Sequence, residues 1–336
     1  MSYILAFESS CDDTSVAVLD TDYRIYANLI SSQPQHLEFG GVLPELASRL
    51  HMQNILKLCE LSLEKAELEL DDISAIAVSI NPGLIGSLIV GLSFAKSLAW
   101  AKSVPLITVN HLLSHIFANY IDHPGLHAPF LALVVSGGHT EMIHFRRETE
   151  FEVVGKTLDD AAGETFDKAA KLMGLGFPGG PILDKLAHNG DPDFVRFPRA
   201  LAQKDNSNFS YSGVKTAIRS YLHNQSTDFI QKHQADIAAS IQAAIVDPLI
   251  DKSVRIARQL QLKCILLAGG VAANSVLRTK LSQKAEHYGI HVYYPSLQLC
   301  MDNAAMVAAA AIPKYKAGLF SPLDVNAFSQ KGTKLL

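Results

Sequence analysis

Two stretches of this chain follow one plan, and that repeat limits the folds open to it. Residues Ile4 to Asp20 (ILAFESSCDDTSVAVLD) and Phe130 to Phe145 (FLALVVSGGHTEMIHF) each read as an apolar strand, a tight turn of Ser, Gly, Asp or Thr, and a second apolar strand. After each hairpin, short apolar strands alternate with helical stretches. AIAVSI (Ala75 to Ile80) precedes LIGSLIVGLSFAKSLAWA, and CILLAGG (Cys264 to Gly270) precedes VLRTKLSQKAEHYG. Two similar α/β domains follow, and 336 residues suffice for both. The break between them is expected near Pro105 to His111. The first domain then takes residues 1–108 with about 303–336, and the second takes 109–302. The Ala-rich helix from Asn303 to Ile312, stopped by Pro313, is expected to return to the first domain. Gly190 to Ser212 is polar and Pro-containing without a clear period, and reads as an insertion in the second.

Hydrophobic content of 48% with 18% charged residues fits a compact globular protein, and no apolar run approaches the roughly 20 residues of a membrane helix. The start, MSYILAFESSCDD, has no basic leader, so a cytoplasmic protein without a membrane partner is expected. Cys11, Cys59, Cys264 and Cys300 are scattered, with no CxxC pair, and read as reduced thiols. A net charge of −4 argues against nucleic-acid binding through an overall positive field, so any RNA contact is local or supplied by a partner.

His111 and His115, in VNHLLSHIFANY, stand four apart, and a helix stacks such a pair on one face as a metal site requires. Leu112 occupies the place where an HExxH protease has its general-base Glu, so a peptidase base is missing. Spacing alone fits a pair of partly exposed helix histidines equally well. Asp302, in CMDNAAMVAAAAI, is well placed as N-cap of the helix that follows, and as a carboxylate it would also complete a two-His, one-carboxylate site suited to iron(II) or zinc.

Glycine-rich turns supply a second kind of candidate. Val134 to Glu141 (VVSGGHTE) puts Ser136, Gly137 and Gly138 between two strands, where backbone N–H groups can approach an anion. In the first hairpin Ser9, Ser10, Asp12, Asp13 and Thr14 offer the same geometry with acids added. FPGGP (Phe177 to Pro181) follows a helix, and LLAGGVAAN (Leu266 to Asn274) joins a strand to a helix with Asn274 able to bond a phosphate or sugar hydroxyl. Taken singly, each is also an ordinary turn. NPGLIGS matches neither a Walker loop nor GxGxxG, although Gly83 and Gly86 suit a turn packed against a ligand or a neighbouring element. Asp160, Glu164, Asp167 and Lys168 fall at helical offsets on nearly one face, either gripping ribose hydroxyls or simply solvated, and Asp184 could face the same space. The 190–212 stretch interleaves Arg196, Arg199 and Lys204 with Phe197, Phe209 and Tyr211, with Lys215 and Arg219 following on a helix. That mixture fits a single-stranded nucleic acid or a solvated loop with aromatic anchors.

FESSCDDTSVAV, GGVLPELASRLH, HLLSH, VVSGGHTE, DDAAGETFDKAAKLMGLGFPGGP, SYSGVKT, LAGGVAAN and MDNAAM, in this order, closely resemble the tRNA N6-adenosine threonylcarbamoyltransferase family, formerly called O-sialoglycoprotein endopeptidases, from about Ile4 to about Gly318. The resemblance implies two related RNase H-like domains of the actin/Hsp70/sugar-kinase (ASKHA) superfamily with a central nucleotide cleft. It implies His111, His115 and Asp302 as ligands of one divalent metal ion, iron(II) before zinc. It also implies Val134, Val135, Ser136, Gly137, Gly138, Asp167, Gly180, Asp184 and Asn274 as substrate-binding positions. The implied reaction moves the threonylcarbamoyl group from threonylcarbamoyl-adenylate to N6 of the adenosine 3′ to the anticodon in tRNAs reading codons that begin with A. ATP or AMP would occupy the same cleft, and accessory proteins, an inactive paralogue and a small ATPase in bacterial relatives, are expected. The chain departs from the pattern at Asn81, where relatives usually have Gly, at Ser9, where Thr is common, and in the tail NAFSQKGTKLL.

A mixed anhydride of carbamate and phosphate is already activated, so metal polarisation and orientation suffice without a side-chain nucleophile. The group that takes the N6 proton is open between a leaving-phosphate oxygen, Glu8 and Asp12. A phosphotransferase of the sugar-kinase kind would share the fold but leaves the His pair unexplained. A metalloprotease is disfavoured by Leu112, and a non-enzymatic nucleotide sensor would bind ATP yet modify no tRNA.

Overall fold

The computed structural model describes residues 1–39, 41–199, 201 and 206–329. Lys204 and the end of the divergent tail therefore lie outside the described residues.

In chain order the first unit is built from β1 (Tyr3–Glu8), β2 (Asp13–Asp20), β3 (Ile25–Ser32), α1 (Pro44–Ala66), β4 (Ile73–Asn81), α2 (Ile85–Lys102), β5 (Leu106–Asn110) and α3 (His111–Asp122). The second unit follows with β6 (Phe130–Val135), β7 (Thr140–Arg147), β8 (Glu150–Lys156), α4 (Ala162–Leu172), α5 (Gly179–Ala187), α6 (Ser212–His223), α7 (Thr227–Lys232), α8 (Gln234–Gln259), β9 (Cys264–Ala268), α9 (Ser275–Glu286) and β10 (His291–Tyr293). The chain then returns to the first unit through α10 (Leu297–Cys300) and α11 (Ala304–Lys316).

Both sheets repeat one order. In the first unit it is β3-β2-β1-β4-β5, and in the second β8-β7-β6-β9-β10. The hairpin strands pair antiparallel, and the later strands join parallel to the first strand of each hairpin. Strands β1, β2 and β6 are buried along nearly their whole length. They read as continuous apolar runs because helices cover the sheet, with α1, α2 and α11 packing on the first.

The units divide later than the sequence pattern placed them: Met1–Leu126 with Pro295–Leu336 form one, His127–Tyr294 the other. The reason is α3, expected in the second domain. It leaves β5 directly and packs on α11 and α10, so the helix with the two histidines belongs to the first unit. Pro313 does not stop α11, which runs on to Lys316 with Ala317 N donating to Pro313 O at 3.1 Å. A proline one turn from a helix end removes one N–H donor, and the helix tolerates that here.

The described residues of the 190–212 excursion are anchored. Phe197, Phe209 and Tyr211 are buried, Ser207 Oγ donates to Val154 O at 2.6 Å, and Arg199 pairs with Asp247 at 2.9 Å. Lys252 Nζ on α8 donates to Asn208 O, and Arg255 donates to Asn206 O at 2.8 Å. Of the two readings left open for this stretch, the aromatics follow that of core anchors.

Candidate metal centre and glycine turns

The first unit's site begins at the end of β5. Asn110 Oδ1 accepts from the N–H groups of Leu112 and Leu113 at 2.9 and 3.1 Å, and this N-cap starts α3 at His111. His111 and His115 then stack one turn apart, ring centroids 4.8 Å from each other, and both are buried rather than half-exposed. Asp302 Oδ1 reaches them from the other end of the unit, 3.2 Å from His115 Nε2 and 3.6 Å from His111 Nε2. One ligand atom from each of the three lies within 4.8 Å of the others. Asp302 does not cap α11 as its position suggested: Asn303 does, its Oδ1 accepting from Met306 N at 3.0 Å. The carboxylate of Asp302 faces the histidines instead.

Behind His111 stands Glu8. Its Oε2 lies 3.1 Å from His111 Nδ1, and its Oε1 accepts from Ser10 N at 2.6 Å. Ser10 Oγ lies 3.1 Å from the same Nδ1. With Nδ1 committed to this carboxylate, Nε2 is the nitrogen turned toward Asp302, the arrangement that orients a metal-binding imidazole. Burial works against a charged His111, but the carboxylates of Glu8 and Asp302 and the Glu8 hydrogen bond outweigh it and push the group up to about 9. Burial likewise raises Glu8, yet the His111 charge and hydrogen bonds bring it below the usual carboxylate range. Two buried imidazoles with one buried and one half-buried carboxylate favour a positive charge among them. The donor set, two nitrogens and an oxygen with Glu8 behind, fits a divalent ion such as iron(II) or zinc. Glu8, one of the proposed proton acceptors, has both oxygens engaged; Asp12 lies partly exposed beside Cys11 in the β1–β2 turn.

The remaining polar groups of that turn serve the fold. Ser9 Oγ donates to Ser87 O at 2.9 Å, and Ser10 O accepts from Leu84 N at 2.8 Å. A Cβ on Gly83 would stand 2.6 Å from Ser10 O, so the NPGLIGS glycine lets α2 start against the hairpin. Thr14 Oγ1 lies 2.8 Å from His51 Nδ1, and His51 Nε2 lies 3.0 Å from Cys11 O. Sequence reasoning missed His51 and the Ser10 contact, because partners 37 and 101 residues apart leave no periodic trace.

In the second unit the β6–β7 turn closes through Ser136 N to His139 O at 2.8 Å, leaving open space around Gly137 and Gly138. Two neighbours fit against it only as glycines. A Cβ on Gly163 in α4 would lie 2.5 Å from Ser136 O, and one on Gly269, with φ at +87°, would lie 2.5 Å from Val135 O. The turn 134–138, the start of α4 and the end of β9 thus gather at one place. Asp167 Oδ1 accepts from Gly179 N at 2.7 Å and also bonds Gly180 N; burial nonetheless leaves its carboxyl raised. Asp184 on α5 accepts from Ser275 N and Oγ at 3.1 and 2.9 Å. Neighbouring Asn274 caps α9, accepting from Leu277 N at 2.9 Å and donating to Gln242 at 3.0 Å. The expected ribose-gripping face is partly neutralised, since Lys168 bonds Glu164 at 2.6 Å and Asp160 at 3.3 Å.

Two hairpin-led domains of one strand order define a two-domain α/β protein, and solved structures share that fold. HypF of T. kodakarensis superposes with a TM-score of 0.66 at 14% identity, over 95% of this chain and 48% of that one. The Acidaminococcus fermentans (R)-2-hydroxyglutaryl-CoA dehydratase component A gives 0.56 at 16% identity, over 94% and 99%. The sequence profile of tRNA N6-adenosine threonylcarbamoyltransferase matches residues 24–309. Proteins of that name from Moorella thermoacetica and Kosmotoga olearia are 48% and 47% identical over 96% of this chain and 95% and 97% of their own lengths. The chain belongs to the tRNA N6-adenosine threonylcarbamoyltransferase family and is a transferase.

Proposed function

We propose that the chain transfers threonylcarbamoyl from threonylcarbamoyl-adenylate to N6 of the adenosine 3′ to the anticodon in tRNAs reading codons that begin with A, releasing AMP. What carries this reading is the cluster of buried His111 and His115 with half-buried Asp302, in a chain 48% identical to an enzyme of that name. His111, His115 and Asp302 would hold a divalent ion, iron(II) before zinc, which when bound supplies Lewis-acid polarisation of the carbamoyl carbonyl. Glu8 and Ser10 keep the His111 ring oriented through Nδ1. Backbone N–H groups of the turn from Val134 to Gly138 take the phosphate, where the open glycines admit it closely. Asp167 with Gly180, and Asp184 with Asn274, frame the nucleoside.

N6 forms the new bond to the carbamoyl carbon, the carbon–oxygen bond to phosphate breaks, and AMP leaves with the electron pair. With both Glu8 oxygens engaged, the N6 proton goes to a leaving-phosphate oxygen or to Asp12. We place the reaction in the cytoplasm, with an inactive paralogue and a small ATPase as accessory proteins and ATP or AMP as the nucleotide bound between turnovers. No helix among the described residues is long and apolar enough to cross a membrane.

The test is reconstitution with tRNA, ATP, threonine, bicarbonate and an adenylate-forming enzyme, with and without the accessory proteins. The modified nucleoside is expected by mass. Its absence with metal loaded, partners present and adenylate made would overturn the reading.

A further inference from the structure

Helices α4 and α6 of the second unit pack together, and across the pair runs a row of cations that the proposed chemistry does not use. Asp160, just before α4, holds Lys215 Nζ at 2.7 Å and Lys168 Nζ at 3.3 Å on the same oxygen, Oδ2. One carboxylate thereby sets the two ammonium groups side by side, one from each helix. A turn further along, Lys171 continues the row on α4 and Arg219 on α6. Both are exposed, and neither has an ion-pair partner among the described residues. The nearby acids are engaged: Glu164 with Lys168, Asp167 with Gly179 N, and Asp159 with Ser210, Tyr211 and Ser212. Helix α6 itself carries no Asp or Glu.

This row sits on a chain of net charge −4, so it is a local feature rather than part of a general positive field. Neighbouring turns of a helix space such cations about 5–6 Å apart, which suits the repeating charges of a phosphodiester backbone better than one phosphate. The aromatics that the sequence interleaved with cations just before α6 are buried in the core, so stacking on bases has no platform there.

We propose that the α4–α6 ridge, led by Lys171 and Arg219 with Lys168 and Lys215 behind them, binds the phosphate backbone of the tRNA substrate. This rests on the tRNA-modifying function proposed above. The ridge positions RNA without reading its sequence.

The test is fluorescence anisotropy with labelled tRNA over a salt series, using the full chain, the K171Q/R219Q double variant, and Lys263→Gln as an exposed control off the ridge. The double variant is expected to weaken binding about tenfold at low salt and to flatten the slope of log K against log salt by about 1 to 2. In the reconstituted reaction it raises KM for tRNA and leaves kcat, metal content and Tm unchanged, while Lys263→Gln matches the wild type. Unchanged affinity and slope in the double variant, with wild type binding and modifying tRNA, overturns the ridge and leaves the function standing. A wild type that makes no modified nucleoside under full reconstitution removes the function. A wild type that binds tRNA without salt dependence removes the ridge.

Discussion

The two units share a strand order and offer opposite kinds of chemistry. The first presents side chains: two buried imidazoles and a half-buried carboxylate, backed by Glu8 and Ser10. The second presents backbone, in a turn kept bare at Gly137 and Gly138 and tightened by Gly163 and Gly269 behind it. The first site depends on what its residues carry, the second on what they lack. A strand order therefore fixes where a site lies, and the residues at the strand ends decide what it does.

The comparison predicts that the sites fail differently. Replacing His115 by Ala should remove the metal and lower transfer about a thousandfold, since a Lewis acid contributes several kcal/mol. Metal analysis and the modified-nucleoside assay check this, and a variant that keeps both its metal and its rate refutes the ligand assignment. In the second unit the matching loss comes from adding a single carbon. Gly269→Ala meets a left-handed φ and the Val135 carbonyl together, and should destabilise the protein by about 3 kcal/mol in chemical denaturation. Gly138→Ala, with open space around it, should leave stability within about 0.5 kcal/mol and weaken nucleotide binding instead. Equal stability losses at the two glycines would erase the distinction between a packing glycine and a ligand-facing one.

Local patterns in the sequence carried the parts of this molecule that are local. The hairpins at Ile4 to Asp20 and Phe130 to Phe145, the alternation after them and the His111/His115 stack all depend on spacings within a few residues, and the structure has each of them. What local pattern left open depends on distant contacts. The units divide after Leu126 rather than near residue 108 because the α3–α11 packing joins segments far apart in sequence. For Asp302 the pattern allowed both a cap and a place beside the histidines, because Asp and Asn are interchangeable as caps by propensity, and only the bond from Met306 N to Asn303 decides between them. For the aromatics before α6 the pattern allowed both a nucleic-acid platform and core anchors, because composition does not distinguish a buried Phe209 from an exposed one.

A smaller effect separates ligand from support inside the first site. Glu8→Gln keeps the shape of the side chain and removes the charge behind His111 Nδ1. Metal affinity should fall about 10- to 100-fold, with the metal still binding at higher concentration. Competition with a chelator measures this, and a loss as complete as that of His115→Ala would mean that Glu8 is itself a ligand.

The smallest expected effect belongs to the second unit and appears with pH. Asp159 Oδ1 accepts from Tyr211 N at 2.7 Å and Ser212 N at 3.2 Å, and Oδ2 accepts from the hydroxyls of Ser210 and Ser212 at 2.5 and 2.8 Å. The carboxylate acts as an N-cap for α6 supplied from 53 residues earlier in the chain. Burial raises its pKa, but these bonds together hold the group below the ordinary value. A carboxyl whose pKa is lower folded than unfolded stabilises the fold above the unfolded value, near 3.9, and loses that contribution as pH falls through the folded value. With the carboxylate exposed and its charge screened by water, Asp159→Ala should cost about 0.5 kcal/mol at pH 7, chiefly as a lost helix cap, and progressively less as the pH drops below about 4. Denaturation of both proteins at pH 7 and near pH 3 measures the gap. A gap that stays constant between the two would mean that Asp159 contributes through packing and not through charge, and the start of α6 would owe its order to Tyr211 and Val214 in the core instead.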